Sequence, residues 1–345
     1  MISGFLVEAI LANGAIFMKT SIQIVCRLGM IVALCLLPAR GWGEESGKWQ
    51  PREIAGEEYI SVEQIQTFYR FEKLTRNESA VTLEGGRVKA VFEIGSRECV
   101  INTIKLVFSR PVLELENKAY ISRADLSGFL DPILRPKLIA GSDFKTVILD
   151  PARGGADPGV TNAYGTEAKW TLKLAELTKT ALEAKGLDVV LTRDHDQELT
   201  FQQRVDAANT VKGGAIFITL SFGSGQQAER GIRTSAVSRS GKSVAADSFG
   251  NASVALATAV HGAMIRKLGK NTSDLGIRQS ESDLDLEIAH PTIFVEGGQM
   301  THPYEARLIA NDQYLSAIAG GVAEGVEKYR RTITAPDTGT AEEKR

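Results

Sequence analysis

Four residues in separate segments of this sequence could form one chemical site. Arg153 lies in the glycine-rich loop of "ILDPARGGADPG", Glu167 begins "EAKWTLKLAEL", Ser221 ends "AIFITLS" and Glu296 ends "TIFVE". Two carboxylates that face one pocket are costly to bury without a positive charge, and an arginine can donate two hydrogen bonds to one carboxylate. We therefore expect Arg153 to pair with Glu167, Glu296 or both, which leaves one carboxylate solvated or protonated. The alternative is that Arg153 faces solvent on a loosened loop.

Alternating strands and helices must position these four residues. Apolar runs predict strands, and helical spacing predicts helices that start near Glu167 and cover 257–268 and 315–326. The predicted strands are 146–149, 187–192, 215–220, 231–237 and 292–295. Such alternation favours a mostly parallel sheet flanked by helices, and sites in these folds form beyond the carboxyl ends of the strands. Glu167 joins the site from a helix start, where the helix dipole favours a carboxylate.

Residues 49–136 are predicted to form a small α+β module. The segment "YISVEQIQTFY" returns as "YISRADLSGFL", and each is predicted to pass from a strand into a helix capped by Ser61 or Ser122. Gly85 and Gly86 predict a hairpin turn between two strands. The pattern resembles the copper amine oxidase N-terminal-like domain, a stalk-type module of secreted bacterial proteins. The resemblance does not imply a copper site.

Residues 1–43 have the pattern of a secretory signal peptide, with basic residues before the apolar run "GMIVALCLLPA". Met18 is an alternative start, since a complete signal follows it. We therefore expect an exported protein of the periplasm or cell envelope that does not span the membrane after cleavage. A net charge of −2 gives no electrostatic reason to expect nucleic acid as a partner. Residues 137–144 are predicted to be a linker, and residues 332–345 a disordered tail.

Residues 145–331 resemble the zinc-dependent N-acetylmuramoyl-L-alanine amidases, which cut the amide bond between muramic acid and the stem peptide of peptidoglycan. Five ordered segments carry this likeness: "ILDPARGGADPG", "GTEAKWTLKLAELTKTALEAKGLDVVLTRD", "LTFQQRVDAANTV", "AIFITLSFGSG", and "DLGIRQ" with "HPTIFVEGGQMTHPYEARLI". The resemblance implies an amidase-like α/β fold, with peptidoglycan or a muropeptide as the partner.

The same resemblance implies which residues would carry the chemistry. Family members bind one zinc ion through two histidines and a glutamate, and a second glutamate acts as the base. Position by position, Glu167 is the retained metal ligand and Glu296 the equivalent of the base. Arg153 and Ser221 occupy the two histidine positions, and Gly223 replaces a nearby asparagine. Because arginine has no lone pair for a metal and serine is a poor zinc ligand, we expect no cofactor here, although zinc serves the family.

Other residues offer weaker routes to chemistry. Ser221 has no predictably placed base that would make it a nucleophile, and the glycine-rich loop lacks the ending of a phosphate-binding loop. Arg230, Arg233 and Arg239 could line a groove for an anionic glycopeptide or form a solvated face. The four histidines are predicted to be exposed or structural: His195, His261, His290 and His302.

The sequence thus predicts a cell-envelope protein of the amidase family that is degenerate as a catalyst. On this hypothesis it binds peptidoglycan or regulates a partner such as another envelope protein. Two alternatives stay open: an active peptidoglycan amidase with an altered metal site, and a protein-interaction scaffold.

Overall fold

The computed structural model describes residues 49–136, 143–226, 229–237, 247–280 and 287–334. The predicted signal peptide, residues 137–142 of the predicted linker, Arg239 and the tail after Thr334 lie outside the described residues. These predictions therefore stay predictions.

Short antiparallel strands and short helical segments make up residues 49–136. In chain order these elements are β1 (Arg52–Ile54), β2 (Glu57–Ser61), α1 (Val62–Tyr69), β3 (Lys73–Arg76), β4 (Ala80–Gly85), β5 (Val88–Glu93), β6 (Glu98–Ile101), β7 (Ile104–Val107), β8 (Leu113–Leu115), β9 (Lys118–Ser122), α2 (Arg123–Asp125), a π-helical turn (Leu126–Leu130) and α3 (Asp131–Leu134). This part has the α+β composition that its sequence predicts.

The two halves of the internal sequence echo fold alike and pair with each other. β2 leads into α1 through Ser61, whose hydroxyl accepts a hydrogen bond from the Gln64 amide. β9 leads into α2 through Ser122, whose hydroxyl accepts one from the Asp125 amide. Both predicted serine caps are therefore confirmed. β2 and β9 run antiparallel side by side, and the predicted hairpin joins β4 to β5.

Longer strands and helices alternate after residue 143. They are β10 (Thr146–Pro151), β11 (Thr161–Asn162), β12 (Gly165–Thr166), α4 (Glu167–Glu183), β13 (Asp188–Leu191), α5 (Phe201–Thr210), β14 (Ala215–Gly223), β15 (Ile232–Ala236), α6 (Asp247–Leu268), β16 (Asp274–Gln279), β17 (Thr292–Gln299), α7 (Pro303–Ile309) and α8 (Asp312–Thr334). The strands and helices predicted for this part are confirmed. β16 is an additional strand, and α8 extends into the span predicted to be the tail.

The large sheet is mixed, so the prediction of a mostly parallel sheet is wrong. Its strand order is β13-β10-β14-β17-β15-β16-β7-β6-β5-β4-β3. The first four strands in this order, β13, β10, β14 and β17, are parallel to one another. β15 is antiparallel to β17, and β3 to β7 form an antiparallel meander. The connection from β14 to β15, residues 224–231, is shorter than the roughly dozen residues that a parallel crossover needs. Direction therefore reverses at β15, and tight turns reverse it again along the meander.

The N-terminal strands and the α/β part share this sheet, because β7 pairs in parallel with β16. A second, four-stranded sheet is formed by β1, β2, β9 and β8. The described residues all belong to one compact unit, which begins at Trp49.

The two faces of the large sheet differ in burial. One face packs its apolar side chains against α4, α6 and α8 in the main core. On the other face, α5 covers a smaller cluster around Ile148, Val205 and Phe217. Farther along that second face the side chains are only half-buried, and we call them the open face: Phe294, Glu296, Arg233, Ser235, Arg278, Val107 and Val100. The open face begins at the carboxyl end of β17 and runs into the N-terminal meander.

Candidate functional site

Two arginines hold the glycine-rich loop after β10 in place. Arg193 is 1% exposed, and its guanidinium donates hydrogen bonds to the carbonyls of Ala152 and Ala168, each at 2.9 Å. Arg204 donates to the carbonyl of Arg153 at 3.0 Å. Burial, together with the charge of Arg204, lowers the pKa of Arg193. The loop is therefore tied down at several carbonyls, which argues against the alternative of a loosened loop. These two arginines are not among the predicted site residues, although both lie in segments that carry the family resemblance.

Arg153 contacts one of the two predicted carboxylates. Its Nε donates to Glu167 Oε2 at 3.2 Å, and its Nη1 donates to Asp157 Oδ2 at 3.2 Å. Glu167 is 1% exposed and also accepts hydrogen bonds from the backbone amides of Val160 at 3.3 Å and Phe222 at 3.4 Å. Burial lowers the pKa of Arg153, but the charges of Glu167 and Asp157 outweigh burial and raise it above its ordinary value. Arg153 thus donates a single hydrogen bond to Glu167 and does not form a bidentate pair with it.

The backbone is shaped to allow this pair. Arg153 has a φ of 66°, in the left-handed region that costs a residue with a side chain roughly 1 kcal/mol. Gly159 also has a positive φ, and a Cβ there would collide with both Glu167 and Arg153. Glu167 is the first residue of α4, which Thr166 caps by accepting a hydrogen bond from Lys169. The predicted helix start at Glu167 is confirmed.

The second carboxylate lies one strand away from Ser221. Ser221 on β14 is directly opposite Glu296 on β17. The Ser221 hydroxyl donates to the carbonyl of Val295 at 3.2 Å. Glu296 Oε2 accepts hydrogen bonds from Arg233 Nη1 at 2.9 Å and from Gln299 Nε2 at 3.4 Å. The side chain of Glu296 is 28% exposed, so solvent reaches this carboxylate.

Arg233 is not the solvated residue that one of the two sequence interpretations expects, and its place in a groove for an anionic glycopeptide stays a prediction. Its side chain is 14% exposed, and its two Nη groups pair with Glu296 and Glu229. Arg233 is therefore not part of a solvated face. The pair escaped sequence analysis because Arg233 and Glu296 are far apart in the chain and only the antiparallel pairing of β15 with β17 sets them opposite each other. Each carboxylate thus has an arginine of its own, instead of one guanidinium shared between two.

The residues at the family's metal position do not fit a zinc ion. Arg153 offers no lone pair, and Glu167 accepts hydrogen bonds from that arginine and from two backbone amides. A Cβ at Gly223 would collide with the carboxamide of Gln299, so a glutamine amide fills the space beside this glycine. Within the described ranges, no group of three or more His, Cys, Asp and Glu side chains is arranged to hold a metal ion. The roles of Glu167 as ligand and Glu296 as base stay predictions.

The four histidines do not rebuild such a site. His195 is exposed beside Asp194, and His302 caps α7. His261 is buried, with Nε2 at 2.9 Å from Asp274 Oδ1, and His290 is also buried. All four have the exposed or structural roles that the sequence predicts.

The fold and site define an α/β domain with two arginine-paired carboxylates near the carboxyl ends of its strands. The family model for N-acetylmuramoyl-L-alanine amidase matches residues 147–328, more than half of the chain. The putative N-acetylmuramoyl-L-alanine amidase YrvJ of Bacillus subtilis is 29% identical over 186 residues, covering 54% of this chain and 33% of that protein. The N-acetylmuramoyl-L-alanine amidase AmiC of Neisseria meningitidis is 28% identical over 220 residues, covering 54% of this chain and 53% of that protein.

Among solved structures, the catalytic domain of CwlV, the N-acetylmuramoyl-L-alanine amidase of Bacillus (Paenibacillus) polymyxa, is 27% identical with a TM-score of 0.47. That match covers 54% of this chain and 98% of the solved domain. This chain belongs to the N-acetylmuramoyl-L-alanine amidase family. It spans about half the length of AmiC and a third of YrvJ. None of the helices in the described ranges has both the length and the apolar composition needed to cross a membrane.

Proposed function

We propose that this protein binds peptidoglycan or its muropeptides and does not hydrolyse them by the zinc route of its family. The observation that carries this proposal is the 3.2 Å hydrogen bond from Arg153 Nε to Glu167 Oε2. It commits the retained ligand position to a fixed cation, since arginine stays protonated in proteins. Arginine cannot hold the metal ion that, in the family, polarises the substrate carbonyl and activates a water molecule.

The other end of the site supports a binding role. Glu296 is partly exposed, and the open face around it carries charged, hydroxyl and apolar side chains. Glu296 lies three residues before the end of β17, near the sheet edge where ligands of open α/β sheets bind. On this proposal the protein keeps the place where the family's substrate class would lie, while the metal position has changed.

The test is to mix the purified protein with isolated cell-wall sacculi and to measure both sedimentation and digestion. We expect the protein to sediment with the sacculi and to release no soluble wall fragments, with or without a chelator. The metal content of the same preparation is measured in parallel, and no stoichiometric zinc is expected.

Two other outcomes would contradict the proposal in different ways. Digestion that a chelator abolishes, and that Glu296→Gln also removes, would identify an active amidase with an altered metal site. A protein that stays in the supernatant, with no affinity for sacculi, would instead support a protein-interaction scaffold.

We further propose that the protein is exported to the periplasm or cell envelope, in keeping with the signal pattern of residues 1–43. Its N-terminal part would then act as a stalk-type module of the copper amine oxidase N-terminal-like kind, and its further partner would be an envelope protein. Fractionation of cells that carry a tagged copy tests the location: recovery of the mature protein in the cytoplasm would contradict it.

A further inference from the structure

Arg278 differs from the four arginines described for the candidate site, each of which donates hydrogen bonds. It lies on β16, opposite Ser235 of β15, and therefore shares the open face with Arg233 and Glu296. Its side chain is half-buried, and its Nε is shielded from solvent without a hydrogen-bond partner. Within the described ranges, its guanidinium makes no hydrogen bond or ion pair.

The neighbouring carboxylates are already engaged. Glu296 and Glu229 both accept hydrogen bonds from Arg233, whose strand β15 lies between β17 and β16. Lys105, on the next strand along the open face, pairs with Glu98. Burial and the charge of Arg233 lower the pKa of Arg278, so the local environment disfavours its charge. The guanidinium of Arg278 is therefore the donor that stays available on this face.

A half-buried guanidinium without a partner is costly, and an added anion reduces that cost. A carboxylate suits it best, because its two oxygens match the planar fork of a guanidinium. The direct strand neighbours of Arg278 on this face are the hydroxyl of Ser235 and the apolar side chain of Val107, and Phe294 lies one strand beyond Ser235. The charges of Arg233, Glu296 and Glu229 also act on Arg278. A small carboxylate on a short peptide fits this combination better than a bare inorganic ion, since apolar neighbours contribute only when the ligand also has apolar surface.

We propose that Arg278 binds a free carboxylate of the peptide part of a muropeptide, on the open face beside Glu296. This inference rests on the proposed function and names the chemical class of ligand that the site selects. Arg278 is then a specificity-determining residue, which distinguishes a peptide with a free acid from one whose acid is an amide.

The experiment uses a matched pair of probes: N-acetylmuramoyl-L-alanyl-D-glutamic acid and its diamide, in which the α- and γ-carboxylates of the glutamic acid are both amides. Binding of each to the purified protein is measured by titration calorimetry. We expect the acid to bind more tightly than the amide. Arg278→Gln should weaken binding of the acid roughly tenfold, the loss expected for one charge-assisted hydrogen bond, and should leave binding of the amide nearly unchanged. Arg278→Lys should recover part of the loss.

Lys89→Gln is the matched control. Lys89 lies on β5 of the same sheet, on the face that also carries Val91 and Val100, about 14 Å from β16 at three strand spacings. Lys89→Gln removes one positive charge, as Arg278→Gln does, but at a distance greater than the screening length of about 10 Å at 0.1 M salt. Both probes should therefore bind this variant with the same affinity as the unchanged protein. Arg278→Gln should also be at least as stable to heat as the unchanged protein, because it removes a charge without a partner.

A third probe, the dipeptide L-alanyl-D-glutamic acid without the sugar, separates the carboxylate from the saccharide. Weak binding of this probe that Arg278→Gln reduces would support the proposal. Equal binding of acid and amide by a protein that still sediments with sacculi would overturn this inference and leave the proposed function standing. Failure to bind either muropeptide or sacculi would overturn both.

Discussion

The two carboxylates of the site lie in opposite surroundings. Glu167 is 1% exposed and is enclosed by Arg153 and two backbone amides. Glu296 is 28% exposed at its side chain and lies on the open face beside Arg233. The Glu167 end has become part of the internal bonding of the loop, whereas the Glu296 end still presents charged groups to solvent. The comparison teaches that two carboxylates at equivalent positions of one family can diverge, one enclosed by internal hydrogen bonds and the other left open to solvent.

The strongest way to break this comparison is to restore the two histidine positions. We expect the double variant Arg153→His/Ser221→His to bind zinc with micromolar affinity or better, about 8 kcal/mol, because Glu167 and two imidazoles form a three-ligand site. The unchanged protein should bind none under the same conditions. Metal content after dialysis measures the difference.

Each single variant is the control for the double one, and each should bind zinc more weakly. If the unchanged protein retained as much zinc as the double variant, the contrast between the two ends would disappear.

A smaller effect compares the two arginines directly. Arg153→Met leaves a buried carboxylate with only backbone donors, and we expect it to lower the free energy of unfolding by about 2 kcal/mol. Arg233→Met uncovers the partly exposed Glu296 and should lower it by less than about 1 kcal/mol. Urea unfolding of both variants provides the measurement.

The strained backbone at position 153 supplies an internal check. Because of its φ of 66°, Arg153→Gly should be about 1 kcal/mol more stable than Arg153→Ala, although both lose the ion pair. Equal stabilities would mean that the loop relaxes when the arginine is removed.

A pH-dependent effect comes from a buried histidine outside both ends. Burial lowers the pKa of His290 below its ordinary value of 6.5. As the pH falls below 6.5, the unfolded chain takes up a proton that the folded chain does not. The free energy of unfolding should then decrease, by at most about 1.4 kcal/mol per pH unit.

His290→Asn should remove this decrease, which urea unfolding between pH 7.5 and pH 5 can detect. If the free energy of unfolding of the variant decreased with falling pH as steeply as that of the unchanged protein, the pH dependence would come from groups other than His290.

Local features of the fold could be predicted from the sequence because neighbouring residues determine them. Ser61 and Ser122 cap their helices as predicted, and Glu167 begins α4, because a hydroxyl before an amphipathic run is a local signal. Arg153 was correctly expected near a carboxylate, but the resemblance to the family, not the spacing, indicated that Glu167 would be close.

Non-local features could not be predicted in the same way. The mixed sheet depends on the short connection between β14 and β15 and on the pairing of β7 with β16. Neither feature produces a periodic pattern in the sequence. The pairing of Arg233 with Glu296 depends on that same reversal of β15. The role proposed for Arg278 could not be predicted for a similar reason, because the sequence does not show which arginine lacks a hydrogen-bond partner.

The pairing of β7 with β16 joins residues 49–136 to the amidase-like part through backbone hydrogen bonds. A truncated protein that begins at Lys145 would lose β7 and leave the backbone amides and carbonyls of β16 uncovered. An uncovered strand is a template for pairing with a neighbouring molecule, so such a fragment would aggregate. The same cut would remove Val107 and Val100 from the floor next to Arg278. The amidase-like part therefore depends on strands that precede it in the chain, because β7 covers the backbone edge of β16.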